Sequence, residues 1–198
     1  MLHYSRYKQR VINKMDKLYF ATGNVEKVKE AHAILCVPIE IADIELDEVQ
    51  SMDLEYVARK KVEEAYKIVG KPVIVDDVGF EIEALNGFPG PLVKFLFTSI
   101  GNKGVLRLLE NEKNRNVTIQ SAVAYHDGNE VHVFVGEITG TIAFEEKGND
   151  GWGFDPIVIR DSEDKTIAEL GFEHKNKVSH RALSLQKLKE FLDTNSAK

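Results

Sequence analysis

The segment Val73–Leu85 (VIVDDVGFEIEAL) limits what this chain can fold into more than any other stretch. Its apolar run Val73–Val75 reads as a buried strand that ends in Asp76 and Asp77. After Gly79, alternating apolar and polar residues through Leu85 predict a further strand. Desolvated like charges repel strongly, so two adjacent carboxylates at a buried strand end call for a cation or a proton. Mg²⁺ prefers oxygen ligands and bridges carboxylates to substrate phosphates, which makes Glu48, Asp76 and Asp77 a candidate metal set. A turn-capping aspartate pair is the alternative.

The flanking segments alternate between helical and extended patterns. Lys17–Ala21 reads as a short buried strand, and Asn24 caps a helix with Val25, Val28, Ala31 and Ile34 on one face. Pro38–Leu46 predicts a second strand. Asp53 caps a helix striped by Leu54, Val57, Ala58, Val62, Ala65, Tyr66 and Val69, which Gly70 and Pro72 close. Gly104–Glu110 reads as helical. Val117–Tyr125 and Val131–Thr139 read as a hairpin around His126–Asn129, and Ser179 caps a last helix with Ala182, Leu185, Leu188 and Leu192 facing inward. The expected class is α/β, a mixed sheet flanked by helices around a central cleft, formed by one domain over residues 16–198. Residues 1–15 are basic and precede Met15, and are expected to be either a disordered extension or a misplaced start rather than a targeting segment.

Composition narrows the partners. A net charge of −6 argues against a broad surface for nucleic acid or an anionic membrane, so an anionic substrate must meet clustered lysines. The single cysteine, Cys36, and the absence of Cys/His ligand spacing leave no basis for an intramolecular disulfide or a structural zinc site. A soluble, cytoplasmic protein is expected, with no membrane-spanning run.

Four further constellations can carry chemistry. Thr22-Gly23-Asn24 with Lys27 sits where a strand hands over to a helix N-terminus, whose free N–H groups suit phosphate; an ordinary capped helix is the alternative. The rigid turn Gly87–Pro91 places Lys94 just beyond it, in reach of a phosphate, or is merely structural. Gly151-Trp152-Gly153-Phe154-Asp155-Pro156 sets the only tryptophan between glycines, suited to present its face to a purine with Asp155 fixing the loop or reading the base; a core tryptophan is the alternative. Lys175 and Ser179-His180-Arg181 put positive side chains at a helix N-terminus, where the helix dipole disfavours them unless an electron-rich ligand sits there.

In order and spacing, FATGN, VIVDDVGFEIEALNGFPGP, GWGFDP and SHRALSL resemble the inosine triphosphate pyrophosphatase (Ham1-like) family over roughly residues 16–193, with a turn like that of its archaeal branch. The resemblance implies a homodimeric, Mg²⁺-dependent enzyme with two lobes and the nucleotide in the cleft between them. Its reaction is water attack on the α-phosphorus of non-canonical purine triphosphates (ITP, dITP, XTP), releasing pyrophosphate and keeping these nucleotides out of DNA and RNA. Carried over by position, Thr22, Gly23, Asn24, Lys27, Lys60 and Lys94 would hold the triphosphate, while Glu48, Asp76 and Asp77 would organise Mg²⁺, with Asp77 activating water assisted by Lys27 and Glu48. Trp152 would stack on the base, with Phe154, Asp155, Lys175, Ser179, His180 and Arg181 around it. Donors there would read a 6-oxo group; adenine would leave one unpaired.

Val78 departs from the family pattern, which has Ser or Thr directly after the acidic pair, so a hydroxyl beside the substrate is missing. Two rival readings stay open at this point. One is a Maf-like pyrophosphatase acting on modified pyrimidines, and the other is a sensor that binds a triphosphate without cleaving it.

Overall fold

The computed structural model describes residues 17–195. The expected extension at residues 1–15 lies outside the described residues. One seven-stranded mixed sheet runs through the molecule in the order β2-β1-β3-β5-β6-β7, with β4 pairing to β3. The strands are β1 (Leu18–Ala21), β2 (Ile39–Ala42), β3 (Val73–Ile82), β4 (Pro89–Gly90), β5 (Asn116–His126), β6 (Val131–Ile142) and β7 (Val158–Arg160). The helices are α1 (Val25–Leu35), α2 (Leu54–Val69), α3 (Val93–Leu108), α4 (Ile167–Leu170), α5 (Phe172–Val178) and α6 (His180–Asn195).

β3 organises the rest. The two strands read on either side of Gly79 are one continuous ten-residue strand, closed by a single 3-10 turn at Glu83–Leu85. The acidic pair therefore lies in mid-strand, because every residue from Val73 to Ile82 is paired to β5 on one edge. On the other edge, β1 lies beside Val73–Ile74 and β4 beside Phe80–Glu81. Between those two contacts, the stretch carrying Asp76 and Asp77 has no strand neighbour on that edge among the described residues. A gap between two strands that meet the same edge of a third is where an open α/β sheet makes a crevice.

Pleating sends successive side chains to opposite faces. Ile74, Asp76 and Phe80 face the side covered by α1 and α6 in one lobe and α3 in the other, where Leu18, Phe20, Leu185 and Leu188 form one core cluster and Phe80, Ile82, Val105 and Ile119 another. Val73, Val75 and Asp77 face α2, whose Leu54, Ala58, Val62 and Ala65 pack on Ala122 and Ala124. The α2 stripe, its Asp53 cap and the left-handed Gly70 at its end match the sequence reading.

Other readings differ from the structure. The second strand is only Ile39–Ala42, since Ile44 and Leu46 turn into the cleft rather than along β1. The helix expected from Gly104 starts at Val93 and runs sixteen residues across a kink at Gly101. In α1 the buried face is Glu30, Ala31 and Leu35, with Val25 56% exposed. That rotation follows from packing against α6 and aims a carboxylate inward. Among the described residues no helix is long and apolar enough to cross a membrane.

Candidate active site

A cleft of about 680 Å³ opens where the edge of β3 is free. Its walls come from the β1–α1 turn, the loop before α2, the start of α3, the Gly-rich loop before β7 and the N-terminus of α6. Of the residues singled out in the sequence, Thr22, Gly23, Asn24, Lys27, Glu48, Asp76, Asp77, Val78, Lys94, Trp152, Phe154, Asp155, Lys175, His180 and Arg181 line it. Ser179 sits just behind, its Oγ accepting from the Ala182 N–H at 3.1 Å to cap α6.

At one end, Asn24 Oδ1 accepts from the N–H groups of Glu26 (3.0 Å) and Lys27 (3.4 Å) and starts α1. Lys27 Nζ donates to the Asp76 carbonyl at 2.6 Å and pairs with Asp76 Oδ2 at 3.0 Å, so it satisfies a carbonyl on the free edge of β3. Lys60, placed by position on the triphosphate, is outside the cleft and pairs with Glu63 at 2.8 Å. The next residue, Lys61, is the one that α2 turns inward. Its Nζ contacts Glu48 Oε1 at 2.5 Å and Asp77 Oδ1 at 2.8 Å. A shift of one residue moves a helical side chain by about 100°, and a run of Arg59-Lys60-Lys61 left the register ambiguous. Burial pushes the Glu48 carboxyl up, but the hydrogen bond and charge of Lys61, with Lys94 and Lys27 beyond, hold it below its usual range. Asp77 Oδ2 is buried and has no hydrogen-bond partner among the described residues.

The two aspartates point to opposite faces of the sheet. Asp76 is 4% exposed and points away from Asp77, to the α6 side. Its Oδ2 accepts from Arg181 Nε at 2.8 Å and its Oδ1 from Ser121 Oγ at 2.6 Å. Burial raises its pKa, but Arg181 and Lys27 overcome that and hold it far below the usual carboxylate range. Repulsion between the neighbours is thus answered by the pleat and by internal cations, and Asp76 has its oxygens committed within the protein.

At the other end, Trp152, Lys175 and Arg181 surround a residue the sequence reading missed, Glu30. Its oxygens receive Arg181 Nη1 at 2.7 Å, Lys175 Nζ at 2.9 Å and Trp152 Nε1 at 3.1 Å. Burial works against its ionisation, but Arg181 and Lys175 keep its pKa low. No signal in the sequence marked it: Glu30 lies beside the Val25, Val28, Ala31, Ile34 stripe, and only the rotation of α1 buries it. The positive charges at the start of α6 are therefore countered by Glu30, Asp76 and Asp155 rather than left for a ligand alone.

Asp155 fixes the Gly-rich loop. Its Oδ2 accepts from the Trp152 N–H at 2.8 Å and from Lys175 Nζ at 2.7 Å. Gly151, at φ +90°, lets that carboxylate approach so closely that a Cβ there would lie 2.5 Å from it. The loop lays the Trp152 ring against Lys175 (4.8 Å from its centroid) and Arg181 (5.1 Å). Phe154 is core, tilted on Phe80 at 4.8 Å and 5.7 Å from the His180 ring.

Among the described residues, the ring nitrogens of His180, which is 1% exposed, have no hydrogen-bond partner, and neither does the buried Arg181 Nη2. Burial, then the charges of Arg181 and Lys175, push the imidazole well below its ordinary pKa, so it is neutral at pH ~7. The cleft thus carries an unpaired carboxylate oxygen at one end and unpaired N–H groups at the other.

The chain matches the Ham1 family over residues 18–191. A Methanopyrus kandleri protein named dITP/XTP pyrophosphatase is 45% identical over 91% of this chain and 98% of its own length. A Pyrobaculum aerophilum protein of the same name is 44% identical over 89% of this chain and 96% of its own. Among solved structures, the Staphylococcus aureus Ham1 protein superimposes with a TM-score of 0.79 at 29% identity, covering 91% of this chain and all of that one. With a match that runs from β1 into α6 and a fold shared over 91% of its length with a solved relative, this chain belongs to the Ham1 family.

Proposed function

We propose that this protein hydrolyses non-canonical purine nucleoside triphosphates (ITP, dITP and XTP) to the monophosphate and pyrophosphate, and so keeps them out of DNA and RNA. The observation that carries this reading is the set of buried, unpaired polar atoms at the two ends of one cleft: Asp77 Oδ2 at one, Arg181 Nη2 and the His180 ring nitrogens at the other. A buried polar group without a partner costs about 1–3 kcal/mol, so such a set is best explained by a ligand that completes it.

At the base end, Arg181 and the neutral His180 supply N–H donors for an oxo group, with Trp152 alongside as a flat wall. Adenine brings a donor to the same place, which leaves the protein donors unpaired and disfavours ATP by roughly tenfold or more. Asp155, Lys175 and Glu30 hold these groups in position.

At the phosphate end, Thr22, Gly23, Asn24, the start of α1, Lys27, Lys61 and Lys94 surround the triphosphate. Glu48 and Asp77 fit a divalent cation: two carboxylates from different elements converge, and one Asp77 oxygen has no partner among the described residues. Mg²⁺ held there would polarise the phosphate and balance the charge of the leaving group. Asp77 orients the attacking water and takes its proton. The water oxygen bonds to the α-phosphorus, the bond to the bridging oxygen breaks, and pyrophosphate leaves. A cytoplasmic homodimer is part of the same reading.

The test is pyrophosphate release from ITP, dITP, XTP, GTP, ATP, CTP and UTP, with Mg²⁺ and with EDTA. Metal-dependent release concentrated on ITP, dITP and XTP is expected. Preference for pyrimidines, release of orthophosphate, or binding without turnover would overturn the reading.

A further inference from the structure

We propose that the Lys61 ammonium stands in for the metal in the free enzyme and gives way only when a triphosphate arrives, so that cation and nucleotide bind as a coupled pair. The inference rests on the reading of Glu48 and Asp77 as the metal carboxylates.

Lys61 Nζ lies 2.5 Å from Glu48 and 2.8 Å from Asp77, at the point a small cation shared by those two groups would take. An ammonium and a dication cannot hold the same oxygens at contact distance, because each would repel the other with little solvent between them. The Lys61 side chain is 14% exposed against 43% for Lys60. α2 therefore commits this lysine to the cleft.

Of the buried lysines lining the cleft, Lys27 is held by Asp76, and Lys175 by Glu30 and Asp155. The ion partners of Lys61 are Glu48 and Asp77. With Lys61 in place, the two carboxylates present one net negative charge to a metal; with Lys61 drawn to a phosphate, they present both. Four methylenes let the ammonium make that move while α2 stays fixed on the sheet. Any affinity that nucleotide adds to the metal must be returned by metal to nucleotide.

Mn²⁺ binding to the full chain, measured by electron paramagnetic resonance with and without α,β-methylene ITP, tests this apart from turnover. In the absence of nucleotide, Lys61→Met is expected to bind Mn²⁺ roughly tenfold more tightly than the parent, within the usual range of coupling between sites. Lys61→Arg should stay weak. Lys94→Met, which removes an equal charge from the same cleft but no contact to the carboxylates, should shift affinity far less. The analogue should tighten Mn²⁺ binding in the parent and lose most of that effect in Lys61→Met.

Equal affinity in the parent and Lys61→Met overturns the proposal, as does an equal gain in Lys94→Met. If Asp77→Asn leaves Mn²⁺ binding of the Lys61→Met protein unchanged, the metal-site reading fails and takes the inference with it. Circular dichroism of each variant guards against reading a folding defect as a change in affinity.

Discussion

Glu30 gathers three side chains from distant parts of the chain, Arg181, Lys175 and Trp152, onto one buried carboxylate. Removing one partner of a buried ionic cluster typically costs about 3–5 kcal/mol, because the remaining charges stay desolvated. Glu30→Gln keeps the shape and removes the charge, so it should lower the unfolding free energy by that order, read as a fall in the urea midpoint. It should also narrow the ITP-to-ATP ratio of kcat/KM, since Arg181 loses one of its two anchors. A midpoint within error of the parent would show that Asp76 and Asp155 suffice. Asp77→Asn tests the opposite end: its carboxylate stabilises little of the core, so the fold should persist while turnover falls by about 10²-fold or more, as for loss of a general base. Near-normal turnover would remove Asp77 from water activation.

At the scale of elements, the site depends on how closely α6 sits on β6. A Cβ at Gly136 would lie 2.1 Å from the His180 carbonyl oxygen and 2.5 Å from the Ser184 N–H nitrogen, so only glycine permits this approach. The same contact places Ser184 Oγ 2.9 Å from Ser121 Oγ, which in turn holds Asp76. Gly136→Ala must push the start of α6 off the sheet, at an overpacking cost of about 1–3 kcal/mol. KM for ITP should rise more than kcat falls, because His180 and Arg181 move while Glu48 and Asp77 do not. A lower kcat at unchanged KM would show that the displacement runs through β3 instead. The amphipathic stripes of α2 and α6, the hairpin β5–β6 and the Asn24 and Asp53 caps were legible in the sequence because they are local. The continuity of β3 was not, since two adjacent aspartates look like an end until their partners across the sheet are known.

For the molecule as a whole, burying a neutral histidine ties stability to pH. His180 has a depressed pKa in the folded chain, while an unfolded histidine titrates near about 6.5. Below that pH the unfolded chain takes up a proton that the folded site refuses. Stability is therefore lost as pH falls from about 6.5 toward the folded pKa, by at most about 1.4 kcal/mol per pH unit. His180→Gln removes this contribution, so its urea midpoint should fall less steeply between pH ~7 and pH ~5 than that of the parent. Equal slopes would assign the pH dependence to other groups.

Sequence alone determined the α/β class, the caps at Asn24, Asp53 and Ser179, the core stripes of α2 and α6 and most of the charged residues that line the cleft, because residue type and short-range spacing carry that information. Tertiary structure decided the pairing. It set Lys61 rather than Lys60 on the carboxylates, sent Asp76 to Arg181 and Asp77 toward α2, and brought Glu30 across 151 positions of chain to Arg181. Which face of a pleat or helix turns inward is a property of what packs against it, and that partner lies too far along the chain for local pattern to name.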